Sequence, residues 1–172
     1  ASRIIDLGLE KIAISSAAVA NPGILTEIAN AIGRQSVVVV LDLRKKTGLL
    51  AKGYEVCTHN GKNIHKIEPV ALAKTLQDAG AGEIILNSMD LDGGMRGYDI
   101  ALAQKLHEAL RVPMTVLGGA GSLDDIGALV HTCGVVGAAV GSLFVFKGKY
   151  RAVLINYPTT AQKEEIFRAA LT

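Results

Sequence analysis

The sequence predicts an α/β protein built on a parallel sheet, namely five strands of an eight-stranded (β/α)8 TIM barrel. Three observations predict this fold class. Short apolar runs alternate with helical patterns, two of these runs end in glycine-rich turns, and one stretch of the chain repeats another. The composition agrees, because 172 residues with 49% hydrophobic side chains suit a single domain, residues 1–172.

Composition and charge also limit the partners that we expect. The formal net charge of +2 and the lack of a basic stripe in the sequence predict no nucleic acid partner. Cys57 and Cys133 stand far apart without ligands at metal spacing, so they are expected to be reduced thiols. The sequence shows neither an apolar run of membrane length nor a signal peptide. We therefore expect a cytoplasmic protein with no membrane, metal or cofactor.

The first two predicted strands flank a helix. An apolar run at 11–16 follows a helix end at residues 2–8, which a glycine closes. Pro22 then opens a helix whose apolar positions keep a helical period. The run at 37–42 is apolar until Asp42, as expected for a strand that is buried on both faces.

The rest of the chain repeats this alternation. Residues 43–66 form the longest connection. Within it, residues 54–58 alternate in polarity and Asn60 and Gly61 suit a tight turn, which predicts a small hairpin over the top of the barrel. Residues 90–97 are too rich in glycine for a regular element. The remaining predicted elements are helix 68–79, strand 83–89, helix 98–110, strand 114–118, helix 122–132, strand 137–142 and a last helix from about residue 160.

Two apolar runs end in turns that suit an anion. Glycine lets the backbone approach a ligand closely, and the N–H groups in the first turn of a following helix point at that ligand. Two such turns, one βα unit apart, match the phosphate site that follows strands seven and eight of a βα barrel. The candidate phosphate-binding residues are Gly118, Gly119, Gly121, Gly141 and Ser142.

An internal repeat predicts the size of the whole barrel. Gly8–Val19 aligns without a gap on Gly134–Val145, 126 positions later. The 126 residues between the two copies hold four βα units, which is half of a barrel, so a whole barrel has about 250 residues. The chain is therefore expected to hold strands four to eight, with three βα units upstream. The repeat relates Ser16 to Ser142, which makes Ser15 and Ser16 a second candidate phosphate site, or alternatively a helix cap. The implied ligand carries a phosphate at each end.

Polar residues at the carboxyl ends of the strands are candidates for chemistry, because barrel enzymes keep their sites there. Asp42 ends an apolar strand, and such surroundings raise the pKa of a carboxyl group and suit it to acid–base work. Its alternative role is to cap its own loop. Asn87, Asp92 and Gly93 are expected near the substrate, with an Asx turn as the alternative for Asp92. His65 is expected in a solvated loop.

Two charged residues open strands at the opposite end of the predicted barrel. Lys11 precedes the first apolar run, and Glu83 begins the third. Charges at the floor of a barrel usually reach water or pair locally. The further alternative is that they line a gate into the core of the barrel.

The sequence resembles the cyclase subunit of imidazole glycerol phosphate synthase over essentially its whole length. The run at 80–84 favours this cyclase over the related isomerase of the same pathway, which shares the plan of two phosphates and two half-barrels. The matching runs are residues 10–12, 17–19, 21–22, 35–39, 80–84, 92–93, 97–99 and 118–121.

This resemblance implies a reaction and a partner. Ammonia from a glutaminase subunit would cross the barrel and react with a bis-phosphorylated ribulosyl aminoimidazole carboxamide ribonucleotide. The products would be imidazole glycerol phosphate and aminoimidazole carboxamide ribotide (AICAR), as in histidine biosynthesis. The resemblance implies that Asp42 is the general acid and that the general base lies upstream of this chain. It also implies that Lys11 and Glu83 belong to the ammonia gate and that Glu10 contacts the glutaminase.

Three departures from the family pattern leave alternatives open. Ser15 replaces an asparagine of the first phosphate site, and Asn87 replaces a threonine near the substrate. The ending from Ser142 onwards resembles paralogues of surface-polysaccharide gene clusters. The alternatives are therefore an ammonia-channelling partner of a sugar amidotransferase in lipopolysaccharide biosynthesis and a phosphosugar-binding barrel fragment without catalysis.

Overall fold

The computed structural model describes residues 1–48, 51–148 and 150–170. These residues form an α/β fold in which helices pack on one face of a mostly parallel sheet. The strands are β1 Ile12–Ile14, β2 Val37–Lys45, β3 Tyr54–Thr58, β4 Asn63–His65, β5 Glu83–Ser88, β6 Met114–Leu117, β7 Gly137–Ala138, β8 Phe146–Lys147 and β9 Ala152–Val153. The helices are α1 Ser2–Ile5, α2 Ser16–Ala20, α3 Gly23–Ile32, α4 Pro69–Ala79, α5 Ile100–Ala109, α6 Leu123–Cys133, α7 Ser142–Val145 and α8 Thr160–Ala170.

Five strands run parallel and lie side by side in chain order: β1, β2, β5, β6 and β7. This order confirms the predicted series of βα units. Two of the strands are shorter than predicted, since β1 and β7 end well before Ser16 and Ser142. The five strands form an open sheet, and no closed barrel is found among the residues that the structure describes.

The hairpin of β3 and β4 is part of the sheet rather than a cover over it. β3 pairs antiparallel with the carboxyl half of β2, from Asp42 to Lys45, whereas β1 pairs with the amino half. The predicted end of β2 at Asp42 is therefore wrong, because the pairing with β3 extends the strand. The turn contains Asn60 and Gly61, as predicted, and both have positive φ.

Burial alternates along the strands and separates the two faces of the sheet. The face under the helices is apolar, and each of its fully buried side chains contributes about 1.5–3 kcal/mol. Asp42 and Asn87 lie on the other face and are only partly buried. The fully buried side chains under the helices include Val37, Val39, Leu41, Leu43, Ile84, Leu86 and Val116.

Side-chain caps place the starts of three helices. Glu68 accepts a hydrogen bond from the backbone of Ala71 at the start of α4, and Asp99 accepts one from Leu102 at the start of α5. Ser122 opens α6 in the same way. The helices predicted at 98–110 and 122–132 therefore begin two residues and one residue later than predicted, because the first predicted residues are caps or lie before a cap. None of the described helices is long and apolar enough to cross a membrane.

Candidate functional site

Asp42 is the centre of a polar cluster on the open face of the sheet. Ser15 Oγ donates to Oδ2 of Asp42 at 3.1 Å, and Asn87 Nδ2 donates to Oδ1 at 2.8 Å. The apolar surroundings that the sequence predicted for Asp42 are therefore wrong, because two polar side chains contact its carboxylate. A carboxylate offers about four acceptor positions, so a ligand can still bind the positions that these two donors leave open.

Ser15 and Asn87 both contact this one carboxylate. Ser15 follows β1 and Asn87 lies on β5, on either side of β2. The sequence predicted Ser15 as a phosphate ligand and Asn87 as a substrate ligand. The structure brings both of them onto Asp42, from positions 27 and 45 residues away along the chain, and their roles as ligands stay a prediction.

The second serine joins the cluster to the hairpin. Ser16 Oγ accepts a hydrogen bond from the backbone N–H of His59 at 2.9 Å. Ser15 stands at the N-cap position of α2, as in the alternative reading of the two serines, but its side chain makes no cap bond to that helix. His65, expected in a loop, lies in β4 with Nε2 2.8 Å from Oγ1 of Thr58.

The three glycines of the predicted phosphate turn are packed against the loop after β5. A Cβ atom on Gly119 would lie 2.1 Å from the carbonyl oxygen of Gly97, and one on Gly121 would lie 2.4 Å from that of Met95. A Cβ atom on Gly118 would lie 2.6 Å from the carbonyl oxygen of Ser88. Glycine is required here because a protein loop approaches the turn, whereas the sequence predicted the approach of a ligand.

Part of the predicted anion site is occupied by a carboxylate. The backbone N–H groups of Gly121 and Ser122 donate to Oδ2 of Asp125 at 2.9 and 2.8 Å, and Ser122 Oγ accepts from the N–H of Asp125. This capping box stabilises the start of α6. Of the first-turn N–H groups that were expected to hold a phosphate, that of Asp125 therefore already has an acceptor in this capping box.

Two further candidates lie together beside this turn. A Cβ atom on Gly93 would lie 3.9 Å from Ser142 Oγ, so the loop after β5 meets the start of α7. Arg151 Nη2 donates to the carbonyl oxygen of Gly93 at 3.4 Å, and its Cζ atom lies 4.7 Å from the ring centroid of Phe146. Sequence reasoning missed Arg151, because strands of two residues such as β8 and β9 leave no periodic signal.

The remaining predicted ligands are the least constrained. Gly141 precedes α7, and a Cβ atom there would meet nothing within 4 Å. Asp92 is exposed, and its backbone N–H donates to the carbonyl oxygen of Ser88 at 3.0 Å. Its carboxylate is therefore accessible to a ligand from the mouth of the loop.

The two charged residues at the amino ends of the strands form an ion pair. Lys11 Nζ lies 2.6 Å from Oε2 of Glu83, and Thr115 Oγ1 donates to Oε1 of Glu83 at 2.8 Å. Burial alone would raise the pKa of Glu83, but the hydrogen bonds from Lys11 and Thr115 outweigh it and hold that pKa below its usual range. Local pairing, one of the three alternatives, is what the structure shows. Glu10 lies beside this pair and is exposed.

The sequence of the chain matches a known protein family. A family model described as histidine biosynthesis protein matches residues 1–151. The chain belongs to the histidine biosynthesis protein family. This result confirms the resemblance that the sequence motifs predicted.

Several members of the histidine biosynthesis family are close relatives. A Leptospira interrogans protein is 50% identical over 97% of this chain and 65% of its own length. A Vibrio vulnificus protein is 48% identical over 96% of this chain and 63% of its own length. A Pseudomonas aeruginosa protein is 44% identical over 92% of this chain. All three have provisional names as subunit HisF of imidazole glycerol phosphate synthase. The chain spans less than two thirds of the length of each of these relatives.

In this member of the histidine biosynthesis family, a polar network ties the hairpin to the loop after β5. Tyr54 of β3 donates its hydroxyl to Oδ2 of Asp99 at 2.9 Å, and Lys45 Nζ lies 3.2 Å from the same oxygen. Burial, together with the hydrogen bond to Asp99, raises the pKa of Tyr54 to about 12. The backbone N–H of Lys45 donates to Asp90, so both ends of the loop are held.

Cysteines and metal-binding side chains do not provide a second candidate site among the described residues. Cys57 and Cys133 are buried and unpaired, and burial raises the pKa of both thiols. No group of three or more His, Cys, Asp or Glu side chains that could hold a metal ion occurs in the part of the chain that the structure describes. The acid–base candidate that remains is Asp42.

Proposed function

We propose that the complete gene product is an ammonia-dependent cyclase of histidine biosynthesis. It converts a bis-phosphorylated ribulosyl aminoimidazole carboxamide ribonucleotide into imidazole glycerol phosphate and AICAR. The observation that carries this proposal is the Asp42 carboxylate, which two donors hold at the open face of the sheet in a chain of this family. Asp42 acts as the general acid.

The second catalytic group lies outside the chain in this proposal. Three βα units that precede residue 1 supply the general base and close the five parallel strands into a barrel. Two features support this: the strand order β1, β2, β5, β6, β7 leaves β1 at an edge beside the candidate site, and the relatives are longer than this chain. The edge of a parallel sheet needs a partner for its backbone groups.

The two phosphates bind at opposite sides of Asp42 in this proposal. Ser16 lies near one of them, beside the hairpin turn. Gly93, Gly119 and Ser142 surround the other, and Arg151 adds a guanidinium group suited to a phosphate. The proximity of Gly93, Ser142 and Arg151 in the structure supports this second site. Asp92 binds a substrate hydroxyl between the two ends.

A glutaminase subunit is the proposed partner, and it docks at the amino ends of the strands. A cavity of about 620 Å³ opens there, and Leu9, Glu10 and Lys11 are among the residues that line it. Leu7 and Leu9 are exposed, at 82% and 53%, on the same side. An exposed apolar patch with charged neighbours is typical of a protein interface. Ammonia then passes the Lys11–Glu83 pair to reach Asp42.

The test uses the complete gene product with ammonium salt and the bis-phosphorylated ribonucleotide, and it follows consumption of the ribonucleotide. We expect turnover, and we expect Asp42→Asn to lower kcat by about 100-fold or more, the range of a general acid or base, while inorganic phosphate still binds. Asp78→Asn is the matched control, because Asp78 is an exposed carboxylate of α4 that pairs with Arg111. Phosphate binding without turnover by the wild type would refute the cyclase assignment and support ammonia delivery to another acceptor.

A further inference from the structure

The Asp42 carboxylate is held by one donor on each oxygen atom. The Ser15 hydroxyl donates to Oδ2, and the Asn87 amide donates to Oδ1. The parallel register places Asp42 directly opposite Asn87 on the same face of the sheet. A carboxylate with a donor on each oxygen, one from each side of its strand, has little freedom to rotate about its side-chain bonds.

The orientation of the Asn87 amide follows from the charge that it faces. A flipped amide would place its carbonyl oxygen 2.8 Å from a carboxylate oxygen, so the NH2 group must face Asp42. That orientation leaves Oδ1 of Asn87 buried with no hydrogen-bond partner among the described residues. A buried carbonyl group without a donor destabilises a fold.

This destabilising feature lies beside the proposed catalytic acid, where strained or unsatisfied groups commonly have a functional reason. Asn87 is partly buried as a residue, but its Oδ1 atom is shielded by protein and therefore unavailable to a ligand. Asn87 can act through its NH2 group, and that group points at Asp42. The Ser15 hydroxyl likewise donates to Asp42, and it accepts no capping hydrogen bond from the N–H groups of the helix that follows it.

We propose that Asn87 and Ser15 are positioning residues of Asp42 and not ligands of the substrate or its phosphate. They hold the carboxylate plane so that its open acceptor positions face the reacting group. This inference rests on the proposed function for its kinetic test. It reassigns two residues that the sequence predicted as ligands, and it predicts that their loss changes kcat and leaves KM unchanged.

The experiment uses the complete gene product with Asn87→Leu, Ser15→Ala and Ser15→Thr. Leu has the same branched arrangement of side-chain heavy atoms as Asn but no donor, and Thr keeps the hydroxyl that Ala lacks. Ser88→Ala is the matched control, because Ser88 neighbours Asn87 and lies on the opposite face, and its buried Oγ has no hydrogen-bond partner among the residues that the structure describes. We expect Asn87→Leu and Ser15→Ala each to lower kcat about 10-fold or more at unchanged KM. Ser15→Thr and Ser88→Ala should keep the wild-type values.

A double-mutant cycle separates positioning from direct contact. In an Asp42→Asn background, Asn87→Leu should cause no further loss of kcat, because the group that it positions is already gone. A rise in KM at constant kcat would show that Asn87 or Ser15 contacts the substrate and would overturn the inference. Full additivity of the two substitutions would overturn it as well.

A stability measurement keeps the inference testable if the proposed reaction is wrong. Without turnover in the wild type, the cycle between Asp42→Asn and Asn87→Leu is measured by urea unfolding. Coupling between the two substitutions, together with unchanged phosphate affinity in Asn87→Leu, supports positioning. Weaker binding of inorganic phosphate by Asn87→Leu or Ser15→Ala, with no coupling, refutes it.

Discussion

At the scale of single residues, the site depends on glycines that admit a neighbouring loop. Gly119 has φ of +117°. A Cβ atom there would lie 2.1 Å from the carbonyl oxygen of Gly97, so only glycine leaves room for that oxygen. The backbone N–H of Gly97 donates to the carbonyl oxygen of Gly119 at 2.9 Å, which fixes the loop that carries Asp92 and Gly93. The glycines thus position the proposed substrate loop.

Gly119→Ala should therefore destabilise the protein. The new methyl group would clash with backbone, and the positive φ adds strain of about 1–3 kcal/mol. Urea unfolding measures this loss. Gly127→Ala is the control, because Gly127 lies within α6 and its Cβ would meet only Ile166 Cγ2 at 3.9 Å. That control should be neutral or raise the free energy of unfolding by about 0.5–1 kcal/mol. Equal effects of the two substitutions would contradict the argument.

At the scale of elements, the β3–β4 hairpin decides where β2 ends. It pairs with the carboxyl half of β2, and Arg44 Nε lies 2.5 Å from Oε1 of Glu55 across this pairing. The hydrogen bond with Glu55 raises the pKa of Arg44. Tyr54 and Lys45 then join the hairpin to Asp99, the cap of α5. The hairpin is therefore a fixed wall of the proposed site.

Tyr54→Phe should weaken this attachment by about 1–3 kcal/mol, the net value of a hydrogen bond to a charged group. The wild-type pKa of Tyr54 is about 12, above the 10.0 of an ordinary tyrosine, so its contribution is complete below pH 10.0 and disappears as the pH rises through about 12. Unfolding measured from pH 8 to 12 should show a shallower alkaline loss in the variant. Tyr157→Phe, at an exposed position, should keep the wild-type slope. A parallel loss in Tyr54→Phe and wild type would argue against this coupling.

At the scale of the whole molecule, the proposed active face and the proposed partner face lie at opposite ends of the same strands. β5 begins with Glu83 and carries Asn87 near its other end, so one strand connects the ion pair at the floor with the Asp42 cluster. The five parallel strands in chain order agree with the βα series expected for this family. Closure of these strands into a barrel stays a prediction.

The ion pair of Lys11 and Glu83 should make the free energy of unfolding depend on pH in the acid range. The pKa of Glu83 is lower in the folded protein than its usual 4.5, so its stabilising contribution is present above about pH 4.5 and is lost as the pH falls through the folded value. Glu83→Gln should remove that part of the acid dependence of the free energy of unfolding between pH 6 and 3. Glu27→Gln, an exposed carboxylate of α3, controls for the loss of one charge. An unchanged slope in Glu83→Gln would exclude the pair as its source.

Sequence patterns predicted the elements better than their ends. The order of strands and helices follows from apolar periodicity, a local property of the chain. The extension of β2 beyond Asp42 and the short β7 could not be predicted, because strand length depends on which neighbour pairs with the strand. The end of an apolar strand made Asp42 a candidate, and the resemblance implied its role as general acid. The roles predicted for Asn87 and Ser15 did not include their contact with Asp42.

The sequence by itself determined the α/β class, the parallel strand order, the family and the candidate residues, because local patterns and motifs carry that information. Only the tertiary structure decided which residues contact one another. Ser15 and Asn87 reach Asp42 across 27 and 45 residues, and Arg151 reaches Gly93 across 58. Such contacts depend on the register between strands and on the loops that pack beside them, and no local pattern in the chain encodes either one.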